Sequence, residues 1–319
     1  MQVNMGMAGE FRCVVKRADG STKVDTGYQK NLILNQGLDF FGGGKGSSML
    51  SNCVIGSGNS QPNYTQNKLD AAITGVSGTF ASNKYDYNAA IDGELYKINY
   101  TYKYSFTGLS NVNVSELGLA STYSNTTTYF LCTRALIKDS QGNPTTITVL
   151  SGEILEIYYK LWVVFDTRDK TGQINLLDGI GGSAKYNWLS RIALAGDTPY
   201  GLRIVGSPLA GAIYNESHKL RDGDLGVVGG ASQGNIIWSS SSELVLSDYV
   251  PGTYKRQLQL DLPVSSANGN IRSFNIYTTM GIFQIRFGSV ADDSPITKTN
   301  TQTLTIPVEI SWGRYEGAL

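Results

Sequence analysis

Apolar and polar positions alternate along residues 155–163 and again along 304–312, the period of a strand with one face on a core. The first run belongs to a longer stretch, residues 129–165, where β-branched and aromatic residues dominate and Gly142-Asn143-Pro144 interrupts. It predicts two long strands joined through a short, turn-rich connection. A degraded copy runs from Gly281 to Phe287, breaks at Asp292-Asp293-Ser294-Pro295 and resumes from Thr303 to Trp312. Between 95 and 106, Tyr96, Ile98, Tyr100, Tyr102 and Tyr104 share one parity, which marks one face of a strand. Val112, Val114, Leu117 and Leu119 complete a first set of strands ending near Asp166.

Upstream, residues 11–16 and 23–28 flank Asp19-Gly20 and predict a hairpin. Residues 31–41 predict a strand and then a short helix ended by Gly42-Gly43-Gly44; residues 50–58 predict a short buried strand. Residues 1–9 show no period and predict a loose arm, and residues 59–88 predict surface loop with a short segment around 69–73. A Gly-, Asp- and Lys-rich segment, 167–183, sets a boundary between domains 1–168 and 169–319. Beyond it, residues 188–197 echo 49–58, 254–262 echo 97–106, and 271–277 echo 112–119. Landmarks recurring in one order at an offset of roughly 140 to 160 residues point to duplication. The expected fold is all-β: two tandem, mainly antiparallel β-sandwich domains arising from an internal duplication. The second lacks the first hairpin and carries an insertion at 205–248.

A chain of 319 residues is long enough for two domains with cores, and its 37 glycines and 19 tyrosines suit short strands and turns. Its 26 basic and 26 acidic side chains cancel, so composition implies neither direct nucleic-acid binding nor an anionic membrane surface. No apolar run reaches the length of a membrane span, and no charged-then-apolar signal segment opens the sequence.

Candidate chemistry is sparse. Cys13, Cys53 and Cys132 are odd in number, far apart and without CxxC spacing, so they predict buried thiols rather than a disulfide framework or zinc site. His218 is the one histidine; its segment, Asn215-Glu216-Ser217-His218-Lys219, predicts a solvated loop side chain, and no G-x-S-x-G elbow accompanies it. Residues 42–47 fail as a phosphate loop, because Asp39 falls where the first glycine belongs and Gly46 where Ser or Thr belongs. Asp222-Gly223-Asp224 and Asp292-Asp293 predict turns, since calcium needs more oxygen ligands than they supply. Asn-x-Ser/Thr triplets at Asn63, Asn99, Asn113, Asn125 and Asn215 follow from composition, and Asn113 falls inside a predicted strand. No catalytic, cofactor-binding or metal-binding residue is singled out, and the expectation is a protein that is not an enzyme.

One likeness adds to this reading. Residues 27–39 (Gly-Tyr-Gln-Lys-Asn-Leu-Ile-Leu-Asn-Gln-Gly-Leu-Asp) are followed by Cys53-Val54-Ile55-Gly56-Ser57-Gly58-Asn59 and Ser115-Glu116-Leu117-Gly118. Arg134-Ala135-Leu136-Ile137-Lys138-Asp139 and Gly142-Asn143-Pro144-Thr145-Thr146-Ile147-Thr148-Val149 come next. In this order the pieces resemble structural proteins of tailed-bacteriophage virions, especially tail components, over roughly residues 25–165. The resemblance implies a β-sandwich building block of the virion tail, made in the host cytoplasm, with no catalytic residues to carry over. Such a collar, sheath or adaptor assembles as a ring or trimer with other virion tail proteins. Residues 1–9, 42–48 and 205–248 are its candidate contact surfaces. The alternative is a receptor- or glycan-binding tail fibre module using tyrosines and tryptophans as stacking faces, and then a glycan-cleaving tail enzyme, whose paired carboxylates need not be close in sequence.

Overall fold

The computed structural model describes residues 1–43, 49–86, 95–177, 183–193, 218–240, 244–278 and 281–319. The chain is nearly all β, in several sheets. It begins with β1 (Gln2–Lys16), β2 (Thr22–Asp25), β3 (Gln29–Ile33), the helix α1 (Asn35–Gly43), β4 (Asn52–Gly56), β5 (Ala72–Ser77), β6 (Thr79–Asp86) and β7 (Leu95–Phe106). Six more strands follow: β8 (Val112–Val114), β9 (Glu116–Tyr123), β10 (Tyr129–Leu131), β11 (Thr133–Leu136), β12 (Ile147–Val149) and β13 (Ile154–Asp166). The second half opens with β14 (Lys170–Leu177), β15 (Ser183–Ile192), β16 (His218–Arg221), β17 (Ile236–Ser240) and β18 (Leu244–Leu246). It continues with β19 (Lys255–Leu262), β20 (Gly269–Ile271), β21 (Ser273–Thr278), β22 (Gly281–Ser289), β23 (Ile296–Lys298) and β24 (Leu304–Arg314).

The strand β1 organises the larger sheet. One edge pairs antiparallel with β13 from Gly6↔Val164 to Lys16↔Ile154. The other edge is shared by three strands in succession: β24, parallel, at residues 2–7; β3 at 9–11; and β2 at 14–16. The first nine residues are therefore not a loose arm. Their period was hidden by glycines: Val3, Met5 and Met7 are buried on one parity, while Gly6 and Gly9 make room for tyrosines. A Cβ on Gly9 would lie 2.0 Å from the Tyr159 hydroxyl oxygen, and one on Gly6 would lie 2.9 Å from Tyr315 Cβ.

From β1 the sheet runs through β3, β11, β9, β4 and β5 in one direction, and through β13, β7 and β6 in another. The stretch 129–165 thus does not form two adjacent long strands. Its first strand breaks at Cys132 into β10 and β11, and β11 lies between β3 and β9. By contrast, β13 lies between β1 and β7. Residues 74–86, read as loop, form most of β5 and all of β6; both strands are half-exposed or exposed where described, so their composition is polar. Residues 87 and 88 lie outside the described ones.

The predicted hairpin is present as β1–β2, with Gly20 at φ 82° in its turn. The predicted tyrosine face is present too: Tyr96, Tyr100, Tyr102 and Tyr104 are buried, and the Tyr104 hydroxyl donates to Leu50 O at 2.7 Å. These side chains share one core with Phe11, Tyr159, Cys53, Leu119 and Leu38.

In the second half a six-stranded sheet has the order β14-β15-β22-β21-β16-β17, and β18-β19-β24 continues the larger sheet beyond β1. The boundary segment 167–183 contains β14; its residues 178–182 lie outside the described ones, as do residues 194–197 of the first echo. Segment 205–248, read as an insertion, contributes β16, β17 and β18, with Leu220 and Trp238 buried. Its residues 205–217, with Asn215, and 241–243 lie outside the described ones, as do residues 44–48 of the glycine-rich stretch. The helix α1 docks on the second half: Trp312 Nε1 donates to Leu38 O at 2.8 Å, and a Cβ on Gly42 would collide with the Tyr249 ring at 2.2 Å. No helix among the described residues is long and apolar enough to cross a membrane.

Candidate functional site

The most developed polar constellation is built on two neighbouring strands. Arg134 on β11 and Glu116 on β9 have side chains with no exposure at all. Arg134 Nε donates to Glu116 Oε2 at 2.9 Å, its Nη2 reaches Asp70 Oδ2 at 2.8 Å, and its Nη1 reaches Ser60 Oγ at 3.2 Å. The remaining Glu116 oxygen accepts the backbone N–H of Gly58 at 3.0 Å and of Ala71 at 2.9 Å. Both ends of the 57–71 loop are thereby tied to the sheet. Gly58 is glycine because a Cβ there would come within 2.3 Å of Glu116 Oε1. Burial opposes ionisation of Asp70, but hydrogen bonds from Ser60 and the Arg134 guanidinium outweigh it and hold the carboxyl below its usual range. The network is a clasp: buried charges are tolerated only when paired and hydrogen-bonded, and here each one is.

The clasped loop forms one wall of a cleft of about 360 Å³. Its floor is the outer side of β3 and β11, and its far wall is residues 314–319. Arg314 is fixed by donating through Nε to Ile33 O and through Nη2 to Asn35 Oδ1, both at 2.6 Å, and its guanidinium lies 4.0 Å from the centre of the Tyr64 ring. The Tyr64 hydroxyl donates to Glu316 Oε1 at 2.7 Å. Lys30 and Lys138 rise at the rim, both exposed.

The residues singled out from sequence lie elsewhere. All three cysteines are free and buried, as expected, and burial pushes the Cys132 thiol up to about 12. His218 is not a solvated loop residue: it opens β16 and is fully buried beside Phe274 and Tyr277. Its Nδ1 accepts the Tyr277 N–H at 3.4 Å, its Nε2 has no partner among the described residues, and burial lowers its pKa to about 3. The local polar run misled, because β17 and β21, which flank β16, come from later in the chain.

Asp222 lies in a bend with Gly223, and Asp224 follows it directly. Asp222 accepts the Asn235 N–H at 2.6 Å, and Asp224 pairs with Arg286 at 2.9 Å. Asp293, at φ 61°, also pairs with Arg286 and ends the β22 turn. Among the described residues no three His, Cys, Asp or Glu side chains gather as metal ligands would.

Sequence reasoning passed over Glu116, Arg134, Asp70 and the cleft cations. The available signal was a charge set in each of two apolar strands, Val-Ser-Glu-Leu and Cys-Thr-Arg-Ala, at positions that face protein. No protein-family model, curated protein or solved structure matches the chain.

Proposed function

We propose that this chain is a structural component of a phage-type virion tail, a collar, sheath or adaptor that acts by assembling with copies of itself and with other tail proteins. The observation that carries the reading is where the phage-like segments fall. They cover β3 with most of α1, then β4, the start of β9, β11 and β12. Of these, β3, β11, β9 and β4 are consecutive neighbours in one sheet. Short matches scattered along a sequence carry little weight singly; matches that together build one contiguous surface carry more.

Two tandem β-sandwich units from an ancestral duplication belong to the same proposal. Strand pairings support it. In the first half β1–β3, β3–β11, β11–β9, β9–β4 and β4–β5 are adjacent; in the second, β14–β15, β15–β22, β22–β21, β21–β16 and β16–β17 are. The pairs β6–β7, β7–β13 and β8–β12 recur as β18–β19, β19–β24 and β20–β23, with the strands in the same chain order. Individual bonds recur too. Thr148 Oγ1 donates to Asn113 Oδ1 at 2.8 Å, and Thr297 Oγ1 to Asn270 Oδ1 at 3.0 Å. On this correspondence β15 stands in the place of β3, not of β4 as the sequence echo suggests, and β2 has no counterpart.

Quantitative mass spectrometry of purified tailed particles tests the role. The chain is expected at a fixed copy number matching a ring or trimer; its absence from particles would overturn the proposal.

A further inference from the structure

We propose that the cleft between the clasped 57–71 loop and residues 314–319 binds a carboxylate-bearing saccharide. Lys30, Lys138 and Arg314 come from three separate elements and converge on one opening. None of them makes an ion pair with a described residue, whereas Arg12, Arg134, Arg168, Arg191 and Arg286 each pair with a carboxylate. Against these cations the lining sets one acidic side chain, Glu316, already engaged by the Tyr64 hydroxyl, and the backbone of Leu319. The whole chain is neutral, so this excess is local and its field is that of a receptive site for an anion.

The rest of the lining selects the kind of anion. Leu32, Ala135 and Leu136 give an apolar floor, Tyr64 gives a half-exposed ring, and Gln61 gives an amide at the edge. A ring that offers C–H faces to Tyr64 and hydroxyls to an amide, and carries a carboxylate for the lysines, uses all of these groups. Bare phosphate would use only the cations, and no residue of α1 contributes helix N–H groups to the lining. Arg314 is held by Ile33, Asn35 and Tyr64, so part of the site is ordered before any ligand arrives. This site is independent of the assembly role and stands or falls separately.

Isothermal titration of the full chain with a galacturonic acid oligomer, its methyl-esterified counterpart and inorganic phosphate tests the assignment. The acid oligomer is expected to bind, with the ester at least tenfold weaker and phosphate without measurable competition. Lys30 and Lys138 are exposed, so Lys30→Gln with Lys138→Gln should leave the melting temperature unchanged and weaken binding at least tenfold. Tyr64→Ala should weaken binding of acid and ester alike. No binding of the acid oligomer, equal binding of the ester, competition by phosphate, or full affinity in the lysine variant would each overturn it.

Discussion

His218 shows how far a single side chain departs from what its sequence neighbours suggest. Its imidazole is buried between Phe274 and Tyr277, and burial holds its pKa near 3, well below the ordinary 6.5. In the unfolded chain the same ring takes up a proton as pH falls through 6.5, while in the folded chain it stays neutral. The unfolded state therefore binds the extra proton, and stability falls as pH drops from 6.5 toward 3. The slope approaches ~1.4 kcal/mol per pH unit below 6. Urea titrations between pH 7 and 5.5, above the range where unfolded Asp and Glu take up most of their protons, should show stability falling with pH in the native chain and lose most of that fall in His218→Phe. An unchanged slope in the variant would place the titrating group elsewhere. The burial of the cysteines, in contrast, was legible, because Val54 and Ile55 follow Cys53, and Phe130 and Leu131 precede Cys132. Burial of His218 was not, since it is produced by strands distant in sequence.

At the scale of elements, the clasp and the first strand teach different lessons. Removing Arg134 leaves Glu116 buried without its cation, so Arg134→Met should cost on the order of 3 to 5 kcal/mol. Replacing Glu116 by Gln in the same chain should recover part of that loss, since the stranded charge is gone. Denaturant midpoints of the two single variants and the double variant give the coupling. Hydrogen exchange should locate the damage in the 57–71 loop and spare β13; uniform loss of protection would contradict a local clasp. The strand β7 was legible because its tyrosines keep one parity over its whole length. The first half of β1 was not, because Gly6 and Gly9 are dictated by Tyr315 and Tyr159, contacts that no local pattern reveals. The paired placement of β11 between β3 and β9 is likewise a property of topology, and the sequence pattern favoured two long strands joined by a short connection.

At the scale of the whole molecule, the two halves are joined by more than a linker. The strand β24 lies parallel to β1 from Gln2↔Glu309 to Met7↔Arg314, and Trp312 reaches the helix α1 while stacking near Tyr249. Trp312→Ala should remove about 3 to 5 kcal/mol of packing. It should also separate a single thermal transition into two in calorimetry, whereas one transition shifted to lower temperature would mean the halves remain coupled through β1 and β24 alone. On the proposed duplication, the echoes at 254–262 and 271–277 fall on strands of matching place in the two pairing patterns, while residues 188–192 of the echo at 188–197 lie on β15, which the pairing sets against β3. Assembly is proposed on the resemblance alone, since a surface that joins copies has no period of its own. The central claim is that this chain works by assembling, and its mass in solution tests it most directly. Sedimentation equilibrium of the purified full chain over a range of concentrations should give the mass of a closed ring or trimer. A single species at the monomer mass at every concentration would contradict the account.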